Sequence, residues 1–112
     1  VGSSAASDVY KRQPQEVPLT APQLIALGDA ALDAGLIWEA IDRWEEALVL
    51  DPGNTQLVER YAEKLYQIGV VYEGVSEFEY AVTTWNRLGD NIPDPLHPQV
   101  VRARARLLRY EQ

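Results

Sequence analysis

The strongest constraint on this chain is an internal repeat. Residues 24–44 (LIALGDAALDAGLIWEAIDRW) lie over residues 65–85 (LYQIGVVYEGVSEFEYAVTTW) at one constant offset, with no gap. Leu24 meets Leu65, Leu27 meets Ile68, Gly28 meets Gly69 and Ala31 meets Tyr72. Ile37 meets Phe78, Ala40 meets Ala81, Trp44 meets Trp85 and Pro52 meets Pro93. A sequence that repeats at this spacing is built from supersecondary units that cannot bury their apolar faces alone, so the units must stack.

The apolar period within each copy is helical, and no segment alternates with a period of two, so the chain is predicted to be all-α. A first helix over about 21–34 puts Leu24, Leu27, Gly28 and Ala31 on one face, and Gly35 ends it. Thr20 is its N-cap, with Pro22 in the first turn and Gln23 three residues after the cap. A second helix over about 37–50 puts Ile37, Ala40, Ile41, Trp44, Ala47 and Leu48 on one face. Pro52 stops it, because the ring clashes with the preceding turn and carries no N–H. Asn54 or Thr55 caps a third helix over about 55–74. Ser76 is expected to open a fourth, with Glu79 completing a capping box, and this helix should end near Leu88. A fifth is expected over about 98–110.

Outside the repeat, residues 14–20 read as a Pro-rich linker. Residues 1–13 (VGSSAASDVYKRQ) resemble a translated adapter remnant and equally read as a Ser/Ala-rich disordered tail; both readings exclude them from the fold. The net charge of −7 disfavours nucleic acid and anionic membranes as partners. There are no cysteines, which removes disulfides, thiolate metal sites and cysteine nucleophiles. No signal peptide or membrane span is visible, which favours a cytoplasmic place.

Residues 21–54 carry Leu27-Gly28, Ala40, Trp44, Ala47 and a closing Asp51-Pro52-Gly53-Asn54. This pattern resembles the tetratricopeptide repeat, whose units are pairs of antiparallel helices. Residues 55–95 form a second, looser unit. Gly69, Ala81 and Trp85 keep the pattern, but Leu88 stands where a small alanine is usual and Ile-Pro-Asp-Pro replaces the closing motif. The additional stretch 55–61 lengthens its first helix. Residues 96–112 then look like a lone capping helix. The resemblance implies a short helix-turn-helix solenoid of two units plus a C-terminal helix. Gly28, Ala40 and Ala47 are small because the helices approach closely there, and Trp44 fills the space beside them.

The chemistry of a reaction centre is not visible. His97 is the single histidine and lacks the convergent companions a base or metal ligand needs, so it reads as a capping or surface residue. Asp42, Glu45 and Glu46 read as a solvated helix face. No phosphate loop, nucleophile elbow or metal-ligand spacing occurs, so no enzyme, cofactor or metal is expected. Trp38 stands where the family usually has a polar residue. It either packs against the linker or hairpin, or touches a partner.

The resemblance implies a non-catalytic protein–protein interaction module that takes a peptide or partner helix on its concave face. The face would be lined by Ile25, Asp29, Leu32 and Asp33 from the first unit and by Tyr66, Gln67, Val70 and Glu73 from the second. It would suit apolar and basic ligand groups. Ile25, Asp29 and Gln67 occupy positions where some family members clamp a C-terminal carboxylate with Lys and Asn, so no such clamp is expected. The alternative is a structural subunit that self-associates head to tail. Residues 29–59 hold eight acids and one base, whereas residues 96–112 hold four arginines and one acid. Arg102, Arg106 and Arg109 share a helical face that could meet the acids of another copy. Arg104 is expected to point into the apolar arc of Val100, Val101, Ala103, Leu107 and Leu108.

Overall fold

A computed structural model describes residues 17–111, and the 1–13 leader lies outside them. Among the described residues the chain is helical without strands. Its helices are α1 (Ala21–Asp33), α2 (Ile37–Leu50), α3 (Thr55–Gly74), α4 (Phe78–Asn91) and α5 (Pro98–Leu107), followed by a 3₁₀ turn at Leu108–Tyr110. The offset of the sequence repeat reappears in the helix ends. Ile37 and Leu50, the ends of α2, map onto Phe78 and Asn91, the ends of α4, and Asp33 at the end of α1 maps onto Gly74 at the end of α3. Only the start of α3 departs: the offset would place it at Ala62, and it begins at Thr55.

Local chemistry sets these ends. Thr20 accepts from the Gln23 amide and Gln23 returns a bond to the Thr20 amide, closing the expected capping box. Asn54 caps α3 by accepting from the Leu57 amide. His97 caps α5, its Nδ1 accepting from the Gln99 amide at 3.2 Å. That bond leaves Nδ1 bare, so Nε2 carries the proton and faces Glu59 Oε1 at 2.8 Å. His97 is therefore a buried cap rather than a surface residue.

Three expectations need correction. Ser76 does not open α4. It adopts φ 63°, as Gly35 does with φ 81°, and both residues close a Schellman turn. The Leu36 amide bonds the Ala31 carbonyl and the Glu77 amide bonds the Tyr72 carbonyl. Ser76 is consumed in ending α3, and α4 begins at Phe78 with no side-chain cap. Nor does α4 stop near Leu88. It runs through Gly89 to Asn91, and Ile92 turns extended ahead of Pro93. Finally, Leu27 is not on the buried face: it is 43% exposed, whereas Leu24, Gly28 and Ala31 are buried.

Helices α1 and α2 pack as one hairpin and α3 and α4 as another, with α5 against α4 and α3. The glycines make the hairpins close. A Cβ on Gly28 would lie 2.5 Å from Trp44 Nε1, and one on Gly69 would overlap the Trp85 indole. Ala40, Ala47 and Ala81 are fully buried in the same seams. Trp85, Tyr61, Ile41, Leu65, Leu88 and Val100 fill the centre. Both indole N–H groups find acceptors: Trp44 donates to Asp29 Oδ1 at 3.2 Å and Trp85 to the Tyr66 carbonyl at 3.3 Å. The difference follows from the repeat, since Val70 stands where Asp29 would recur.

Polar and aromatic contacts join the hairpins. Glu45 accepts from Arg87, from the Tyr61 hydroxyl at 2.8 Å and from Asn91 at 3.2 Å. Asp42 accepts from the same guanidinium at 2.6 Å. Asp42 and Glu45 both grip Arg87, but only Glu45 is covered and leaves the expected solvated face, while Asp42 and Glu46 stay exposed on it. The Glu45 hydrogen bond, with Asp42 beside it, holds the Arg87 guanidinium above its ordinary pKa. Burial first, then the charge of Glu45, pushes the Tyr61 phenol far above its ordinary value. Trp38 stacks on Tyr72 with centroids 5.8 Å apart and meets Tyr80 edge-on at 5.7 Å. Its packing role is therefore between the hairpins.

Candidate functional site

A groove opens between the hairpins. It is lined by Leu32 and Ile37 from the first and by Lys64, Gln67, Ile68, Val71 and Tyr72 from α3. The lining is almost wholly apolar, and the cavity holds about 270 Å³. That is below the roughly 300–1,000 Å³ of small-molecule sites and suits a protruding side chain. On α3, Lys64, Gln67, Ile68 and Val71 are spaced i, i+3, i+4 and i+7, so they form one stripe beside the buried Leu65 and Gly69. Ile68 and Tyr72 are half-buried at the floor, whereas Val71 is 66% exposed at the lip. Lys64 contributes the one charged side chain of the lining, and it pairs with none of the described carboxylates.

The eight residues expected on one concave face are divided among four environments. Leu32 and Gln67 are in the groove. Ile25 and Val70 pack against the core. Asp33 is exposed. Asp29, Tyr66 and Glu73 are held by internal bonds: Asp29 accepts from Trp44 and from Arg60, the latter at 2.7 Å, and so ties α1 to α3. Arg106 reaches back from α5 to donate to the Tyr66 hydroxyl at 2.8 Å and to Glu73 Oε1 at 2.5 Å. Tyr110 donates to Glu73 Oε2 at 2.5 Å. The Tyr66 bond first, then Glu73, holds the Arg106 guanidinium above its ordinary pKa. The Glu73 bond raises the Tyr110 phenol likewise.

These bonds change the expected electrostatics. Of the three carboxylates that made the face acidic, Asp29 and Glu73 are paired with Arg60 and Arg106, and Asp33 stays exposed. The cation remaining at the groove is Lys64. Arg106 is equally removed from the set expected to meet another copy. Arg102 and Arg109 stay exposed, with Arg109 3.8 Å from Glu73. Arg104 is also exposed, because the buried side of α5 is Val100 and Ala103, while Val101 and Leu108 turn outward.

Sequence reasoning missed Ile37, Lys64, Ile68, Val71 and Tyr72 as groove residues. The signal was available in part: Ile68 and Val71 continue the apolar stripe of α3 beyond what its own hairpin partner covers. Among the described residues no group of three or more His, Asp or Glu is placed to hold a metal ion. No described helix is long and apolar enough to cross a membrane. Comparison with protein-family models, with curated proteins and with solved structures found no match.

Proposed function

We propose that residues 21–111 form a short solenoid of tetratricopeptide type and act as a non-catalytic protein–protein interaction module. The solenoid reading is supported by the recurrence of helix ends at the offset of the sequence repeat and by the paired Gly–Trp contacts of the two hairpins. The function rests on one observation above all, the apolar groove between the hairpins. An extended peptide or partner helix would seat an apolar side chain over Ile68 and Tyr72, with an adjacent carboxylate meeting Lys64. Burying one large aliphatic or aromatic side chain is worth about 1.5–3 kcal/mol.

The test is selection of peptides from a random displayed library, followed by calorimetry. Selected sequences should share an apolar residue beside Asp or Glu. Val71→Arg, at an exposed lip position that leaves the core intact, should weaken them at least about tenfold, or about 1.4 kcal/mol. Lys64→Glu should reverse the acidic preference. Peptides that bind both variants as tightly as the parent would place the binding surface elsewhere.

A further inference from the structure

The repeat identifies which face of a hairpin its neighbour covers. In the second hairpin that face includes Ile68, which shares the groove with Leu32 and Ile37, and Asn91, which donates to Glu45. Their equivalents in the first hairpin are Leu27 and Leu50, which are 43% and 57% exposed. Leu19 and Val49 extend the same end into a shallow apolar depression, with Glu46 at its edge. At the other end of the molecule, α5 and the 3₁₀ turn after it point Val101 and Leu108 outward around Arg104. Stacked helical units ordinarily finish in polar outer faces. Here both end faces carry exposed apolar side chains among their charges.

The charges say what fits. Among the described residues the pairs Asp29–Arg60, Arg87 with Asp42 and Glu45, and His97–Glu59 consume several of the acids. The first hairpin still keeps Asp33, Glu39 and Asp51 exposed, and Glu46, itself 53% exposed, lies 3.6 Å from the hairpin's single base, Arg43. The far end keeps Arg102, Arg104 and Arg109 exposed against Glu111. A symmetric pairing would set like charges against each other, acid end on acid end or arginine end on arginine end. A head-to-tail pairing sets unlike charges together around two apolar patches. We propose that the outer face of α5 docks on the outer face of the first hairpin of a second copy of this chain, through Val101, Arg104 and Leu108 on one side and Leu27, Glu46 and Leu50 on the other. The contact is heterologous, so it propagates into a ring or a filament.

The experiment uses the full chain, with light scattering coupled to size exclusion, from micromolar to millimolar concentration at low and high salt. The parent should gain mass with concentration and lose it with salt. One variant blocks the first hairpin's face (Leu27→Lys with Leu50→Lys), and another removes the apolar contact of α5 (Val101→Gln with Leu108→Gln). All four positions are exposed, and circular dichroism should show parental helix content in both. Each variant alone should be monomeric. An equimolar mixture should form a species of two chains and nothing larger, because one intact face of each kind remains. A parent that stays monomeric throughout overturns the proposal, including the case where chain outside the described residues covers the first face in cis. A variant that still assembles alone shows a symmetric contact through its intact face and overturns it equally, as does a mixture that stays monomeric while the parent assembles.

Discussion

Gly28 and Gly69 are the residues on which the hairpins turn. In an open helix, Gly→Ala gains about 1 kcal/mol from backbone propensity. At Gly28 the added methyl would meet Trp44 and lie 3.1 Å from the Ala40 carbonyl, so the indole must leave its place. Overpacking of this kind costs about 1–3 kcal/mol. Gly28→Ala and Gly69→Ala should therefore lower the melting temperature, whereas Gly74→Ala, whose methyl meets nothing within 4 Å, should leave it unchanged or raise it. Equal behaviour of the three would remove close packing as the reason for these glycines. Ser76 makes the opposite case. It holds φ 63° with a side chain, at the position where the first hairpin has Gly35. The left-handed conformation costs a non-glycine residue about 1–2 kcal/mol. Ser76→Gly should raise stability by about 1 kcal/mol, measured by urea denaturation, and a destabilised variant would mean that the hydroxyl matters more than the backbone.

At the scale of elements, α2 and α3 were legible to the residue, because a proline and a turn motif bound them and their apolar stripes are long. The boundary between α3 and α4 was not. Ser-x-x-Glu reads as a capping box in isolation, and what overrides it is the Schellman turn that the end of α3 forms first. The pairing of charges was least legible. Asp29 with Arg60 and Glu73 with Arg106 lie far apart in sequence and meet only through helix packing. The first pair ties α1 to α3, and the second seats α5 on Glu73 of α3. Glu73 is largely covered and accepts from both Arg106 and Tyr110. Glu73→Ala leaves a half-buried guanidinium and a hydroxyl without their acceptor, and hydrogen bonds to charged groups contribute about 1.5–3 kcal/mol. Backbone amides of α5 should then exchange at least about tenfold faster, while those of α1 and α2 keep their protection. Unchanged exchange in α5 would show that Val100 and Ala103 alone hold it down.

The molecule as a whole is two hairpins and a helix whose stability divides into terms within each hairpin and terms between neighbours. The terms within are apolar and close-packed. The terms between are different in kind: Trp38 against Tyr72 and Tyr80, Asp29 against Arg60, and the Glu45–Arg87 clamp with Tyr61 and Asn91. The groove also lies at this junction, so apolar surface that could join the hairpins is left open, and polar groups carry more of the joining. Cooperative unfolding needs the interface terms to outweigh the difference between the hairpins' own stabilities. Arg87 is the residue that tests this, because it donates to both Asp42 and Glu45 of α2 from α4 and lies 5.9 Å from the centre of the Trp38 ring. In the parent, the slowest amides of α2 and α4 should report one common opening free energy and the same dependence on urea. In Arg87→Ala they should separate into two values, with a broader urea transition and a lower m-value, because each hairpin then exposes its own surface in its own step. If α2 and α4 still opened together in that variant, the aromatic contacts of Trp38 and the Asp29–Arg60 pair would suffice to couple the hairpins.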